Sequence, residues 1–225
     1  MPTMIMTVWP IASALSLRQW QSDRVDGSGL ASALTAMSAG DPARAFRLYA
    51  WNTALCEALY GSLQGLEITL RNKIHDRLAV EIAADWYDNA GVGLRHAQVE
   101  QIQCAKTTLR RLGKPLEPSR VVGELSFGFW VGLLSSKYEN SLWRPHLRGV
   151  FVNAPSRFVR RDAHLPLEAI RLLRNRIAHH KPILQRTLAN EHGQILSVLG
   201  WLCSSTAKWV AHHSRFAEVH AAEPR

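Results

Sequence analysis

Arg171, Arg174, Asn175 and His179 fall within nine residues of one another in the stretch RLLRNRIAHHKP. At about 100° per residue, Arg171, Asn175 and His179 form an i, i+4, i+8 row along one helix face, with Arg174 at its edge. These types suit metal-free RNA cleavage. That reaction takes a proton from a 2′-OH, gives one to the 5′-oxygen and stabilises charge on a phosphorane. Histidine titrates near neutrality and can act as base or acid. Arginine stays cationic and binds two phosphate oxygens at once. Asn175 can orient the imidazole or hold a phosphate oxygen, with His180 beside it in support. Pro182 ends the helix near His179, where the helix dipole favours imidazolium; Arg174, Arg176 and Lys181 act in the opposite sense.

The surroundings of this row are basic. From Arg144 to Lys181 there are nine basic residues against Asp162 and Glu168 alone, most of the chain's net charge of +9. Arg160, Arg161, Arg171, Arg176 and Lys181 are the candidate RNA contacts of that run. Arginine outnumbers lysine 21 to 6, a skew toward the planar fork that matches phosphate. Such a balance favours polyanionic partners.

Other chemistries lack their motifs. Gly113-Lys114 has no surrounding P-loop and Gly91-Val92-Gly93 no dinucleotide fingerprint, and HExxH and GxSxG are absent. The pairs His179-His180 and His212-His213 point about 100° apart on a helix and have no carboxylate or cysteine at ligand spacing, so no metal site and no cofactor is expected. Cys56, Cys104 and Cys203 are too scattered for a disulfide framework or a zinc knuckle. The apolar start, MPTMIMTVWPIASALSL, has no basic n-region and is interrupted by Pro10, which speaks against a signal peptide. A cytoplasmic chain without a membrane segment is expected, since no charge-free apolar run approaches about 20 residues.

The elements that position these groups read as helices. Leu48, Leu55, Leu59, Leu63, Leu66, Leu70, Ile74 and Leu78 recur at three- and four-residue steps. They predict helix from about Ala43 to Val80, divided in two at Gly61. A further helix through Val99, Ile102 and Leu109 should stop at Gly113. Short helices are expected over 118–125, 127–135 and 138–149, and another runs through Leu165, Leu167, Ile170 and Leu173. A last one should cover about Glu191 to Phe216. With 47% hydrophobic residues the chain can bury a core, and the expected class is all-α. One domain over 1–225 is expected: an N-terminal helix and loose segment over 1–41, a main body over 43–182 and a C-terminal helix within 186–225. Glu67 and Arg71 are spaced for a simple i, i+4 ion pair. Trp51, Phe127, Phe129, Trp130, Tyr49 and Trp143 read as core.

RNRIAHHKPI after a basic amphipathic helix resembles the R-x4–6-H signature of the HEPN superfamily, in the form seen in Abi-like (abortive infection) proteins. Three further stretches are similar in the same order: LYAWN continuing through LQGLE to LRNKIH, then ELSFGFW, then Tyr138 with Leu142-Trp143-Arg144. The resemblance spans about 48–182. It implies a HEPN-like helical bundle with additional helices, and metal-independent RNase activity in prokaryotic antiviral or toxin-type defence. It also implies a homodimer whose paired motifs form a composite cleft, with Arg174 and His179 catalytic and Asn175 the polar neighbour. Glu67, Arg71 and Asn72 would then be candidates to line that cleft. An antitoxin or regulatory partner is compatible with this reading. Some HEPN toxins carry a modifiable tyrosine two places after the histidine; here Lys181 stands there. The alternative is a noncatalytic RNA- or nucleotide-binding module, or an interaction subunit of a defence complex.

Overall fold

The computed structural model describes residues 36–39 and 41–224. The expectations for the apolar N-terminus and most of the loose segment at 1–41 lie outside the described residues. Among the described residues every regular element is helical and no strand occurs, so the chain is all-α. The helices are α1 (Pro42–Glu81), α2 (His96–Arg111), α3 (Pro118–Glu124), α4 (Phe127–Gly132), α5 (Arg160–Ala178), α6 (Leu188–Leu202), α7 (Ser204–His213) and α8 (Phe216–Ala221). Short 3-10 turns and one π-helical turn, Glu139–Trp143, connect α4 to α5.

The described residues form two compact units. One contains 36–39, 41–58, 175–188 and 215–224; the other contains 59–174 and 189–214. The smaller unit centres on Leu48, against which Met37, Tyr49, Trp51 and Leu184 pack. The Trp51 indole N–H donates to the Val219 carbonyl at 2.8 Å, tying α8 to α1 within that unit.

The larger unit is built on a stripe of α1: Leu59, Leu63, Leu66, Leu70, Ile74 and Leu78 are all buried. Three- and four-residue spacing keeps these side chains on one face, and their burial supplies most of the helix's stability. Phe127, Phe129 and Trp130 of α4 are buried as expected. Phe129 and Trp130 meet edge to face with centroids 5.0 Å apart. Ser126 starts this helix by accepting the Phe129 N–H. Trp143, Phe151, Phe158 and Trp201 form a second aromatic group.

Two boundary expectations are corrected. α1 runs unbroken through Gly61. A glycine there costs roughly 1 kcal/mol in helix propensity, too little to interrupt a helix whose apolar stripe continues on both sides. In contrast, the predicted C-terminal helix is three helices. Cys203 adopts an extended conformation (φ −161°, ψ 105°) between α6 and α7, and Ser214 (ψ 124°) separates α7 from α8. Cys203-Ser204-Ser205-Thr206 is a run of weak helix formers whose side chains bond locally. Thr206 Oγ1 donates to Cys203 Sγ at 3.2 Å.

Candidate functional site

α5 begins with Asp162 accepting the Val159 N–H at 2.9 Å, an acidic residue favoured in a first turn. Leu167, Ile170 and Leu173 bury one side of the helix. Its C-terminal turn lies in the smaller unit and carries His179, His180 and Lys181. The His179 N–H still bonds back to the Asn175 carbonyl at 3.0 Å. The His180 N–H then donates to Ile177 at 3.1 Å, and the Lys181 N–H to Arg176 at 2.8 Å. This pair of bonds is the Schellman arrangement, with His180 at the left-handed position (φ 53°) that glycine usually fills. α2 ends in the same pattern with Gly113 (φ 63°) in that place.

Two side chains hold the turn. The Arg176 guanidinium folds back and donates through Nε to the Pro182 carbonyl at 3.1 Å. The buried Asn52 amide oxygen accepts the Ile183 N–H at 2.9 Å. Asn52 ends the LYAWN stretch, so its role is to fix the strand of loop leaving the histidines, a contact invisible from local spacing. His179, His180 and Lys181 are exposed on the outside of this turn. The His179 ring and the Lys181 ammonium have no side-chain partner among the described residues.

In the larger unit, Arg174 lies with Nε 3.5 Å from Glu67 Oε2, both side chains only partly buried. The predicted Glu67–Arg71 pair does not form. Arg71 Nε donates to the Asn72 amide oxygen at 3.2 Å instead, and Glu67 pairs with Arg174 on α5. Tertiary packing brings a second carboxylate–guanidinium geometry within reach, and it wins over a local pair worth only a few tenths of a kcal/mol. Arg171 makes a bidentate pair with Glu168, Nε–Oε2 2.8 Å and Nη2–Oε1 2.6 Å. That hydrogen bond holds the Glu168 carboxyl below its ordinary value and raises Arg171. Gly128 of the ELSFGFW stretch lies against the Arg171 stem: a Cβ there would sit 3.6 Å from its Cδ.

The expected RNA contacts are therefore not equivalent. Arg160 donates to Glu139 at 2.7 Å and to the Leu134 carbonyl at 2.8 Å; Arg171 and Arg176 are engaged as above. Arg161 is exposed and without a side-chain partner among the described residues. At 1.5 Å rise per residue, Arg160 and Arg161 stand about 20 Å along α5 from Arg174. They do not share a site with it on one helix end. Among the described residues no group of three His, Cys, Asp or Glu side chains could hold a metal ion, and no helix is long and apolar enough to cross a membrane.

Sequence reasoning counted Arg144, Arg148 and Arg157 in the basic, phosphate-facing run but gave them no individual role. All three line one pocket of about 620 Å³ in the larger unit. Their i, i+4 spacing at 144 and 148 was a signal; the arrival of Arg157 beside them needed the fold. Comparison with known proteins finds no matching family model, no similar curated protein and no similar solved structure.

Proposed function

We propose that the chain is a metal-independent endoribonuclease of a prokaryotic antiviral defence system, of the abortive-infection or toxin type. Arg174 and His179 are its reacting pair. In this scheme one imidazole removes the 2′-OH proton, and the 2′-oxygen attacks the adjacent phosphorus. A second imidazole, from the other copy of a homodimer, protonates the departing 5′-oxygen. The products are a 2′,3′-cyclic phosphate end and a 5′-hydroxyl end. Arg174 offsets the negative charge of the phosphorane.

The observation that carries this reading is the state of His179. A helix-ending turn held by four hydrogen bonds presents its imidazole to solvent with no side-chain partner among the described residues. Such a ring keeps both nitrogens available for proton transfer. Glu67 would orient Arg174 until a phosphate displaces it.

The test is RNA cleavage by the full chain and by His179→Ala and Arg174→Ala, with products analysed for a 2′,3′-cyclic end. Removing a general acid/base or a charge stabiliser should lower the rate by about 100-fold or more. Activity should persist in chelator. Undiminished cleavage by both variants would reject the scheme. A second reading, RNA binding without turnover, rests on Arg161 and Lys181, which are exposed and have no side-chain partner among the described residues. It predicts salt-sensitive binding by wild type and no product at any time point.

A further inference from the structure

The pocket of about 620 Å³ in the larger unit is lined by Glu139, Trp143, Arg144, Arg148, Arg157, Phe158 and Val159. Its size is that of a site for a small organic ligand rather than a bare ion. Its charge is one-sided. Glu139 is the pocket's single carboxylate, and it is already held by two guanidiniums: Arg144 Nε at 3.3 Å and Arg160 Nε at 2.7 Å. Arg148 and Arg157 are exposed and have no side-chain hydrogen bond or ion pair among the described residues. Two forks capable of bidentate phosphate binding therefore remain uncompensated at the rim.

The rest of the wall is apolar. Trp143 and Phe158 are nearly buried and support one another at 6.1 Å between centroids. Phe151 and Trp201 back Phe158 at 5.3 and 5.1 Å, so the aromatic floor is supported from behind. Val159 adds an exposed aliphatic wall. An apolar wall beside free guanidiniums matches a ligand with a flat apolar body and a phosphate.

We propose that this pocket binds a nucleotide, its phosphate taken by Arg148 and Arg157 and its base set against the exposed Val159, with the buried Trp143 and Phe158 behind it. The site shares no residue with the Arg174 and His179 pair and does not depend on the nuclease reading. The nucleotide can be free or part of a polynucleotide; the chemistry recognised is the same.

The experiment uses the full chain and two probes: ATP, and a 2′-O-methyl oligoribonucleotide of about ten nucleotides, which cannot be cleaved through its 2′ position. Arg148→Ala/Arg157→Ala should weaken binding by about tenfold or more. Val159→Glu, which leaves both arginines in place but adds a carboxylate to the wall, should weaken it as well. Arg110→Ala/Arg111→Ala removes the same charge from the last turn of α2 and should stay within about twofold of wild type. Pocket-dependent ATP binding identifies a free nucleotide. Pocket-dependent binding of the oligonucleotide alone identifies a nucleotide within a strand, and both results support the proposal. Binding of neither probe, or equal losses in the α2 control, would overturn it. So would inorganic phosphate competing as well as ATP, because the apolar floor would then contribute nothing. Cleavage by His179→Ala reads the other site independently.

Discussion

His180 occupies the left-handed position at the end of α5, where an L side chain crowds its own backbone. Gly113 holds the same place at the end of α2 without that penalty. His180→Gly should therefore raise the stability of the chain by roughly 1 kcal/mol, read as a higher urea midpoint with unchanged slope. A lower midpoint would mean that the imidazole supports the turn by more than the strain opposes it. His179 and Arg174 should behave differently. The Arg174–Glu67 contact is long and solvent-screened, so Arg174→Ala should alter stability by less than about 1 kcal/mol. Circular dichroism and urea unfolding would show both variants folded while cleavage is lost. Unfolding in step with the loss would assign these residues to structure instead.

At the scale of elements, the two glycines of α1 make opposite predictions from the same residue type. A Cβ at Gly61 meets nothing within 4 Å, so Gly61→Ala should stabilise the chain by about 0.5–1 kcal/mol through helix propensity. A Cβ at Gly65 would lie 2.9 Å from Val210 Cγ2. Val210 is buried and β-branched, with little freedom to turn away. Gly65→Ala should cost about 1–3 kcal/mol by forcing α7 from α1. Thermal unfolding of the two single variants separates these cases; a stabilised Gly65→Ala would show that α7 yields easily. The helix pattern itself was readable because Leu59 to Leu78 repeat with the helical period. Gly61 was misleading because a local breaker signal is weak beside long-range burial of the same stripe. The break at Cys203 was missed for the converse reason: apolar residues continue past it, while the competing side-chain bonds are local.

For the molecule as a whole, three partly buried histidines set the pH response. Burial lowers His192, whose Nε2 lies 3.3 Å from Ser62 Oγ and 3.0 Å from Ser214 Oγ. Burial also lowers His75, opposed by Asp76; its Nδ1 accepts the Trp86 indole N–H at 3.1 Å. It lowers His164 too, with Arg160 acting in the same direction. For each, the unfolded chain takes up a proton near the ordinary value of 6.5 before the folded chain does. The stability due to keeping them neutral is complete above about pH 6.5 and is lost as pH falls below it. The urea midpoint should be lower at about pH 5.5 than at about pH 7.5, and His192→Gln should flatten that slope. A midpoint that does not fall on acidification would contradict the buried, neutral state of these rings.

Sequence alone determined the all-α class, the apolar stripe of α1, the stop of α5 before Pro182 and the concentration of positive charge between Arg144 and Lys181. These follow from periodicity, backbone chemistry and composition, which act over a few residues or over none. Only the tertiary structure decided that Glu67 serves Arg174 rather than Arg71, that Asn52 holds the loop beyond His180, and that Arg157 joins Arg144 and Arg148 around one pocket. Those outcomes join residues up to 131 positions apart. Which partner a polar side chain takes at that range depends on where packed helices leave it, not on its neighbours in the chain.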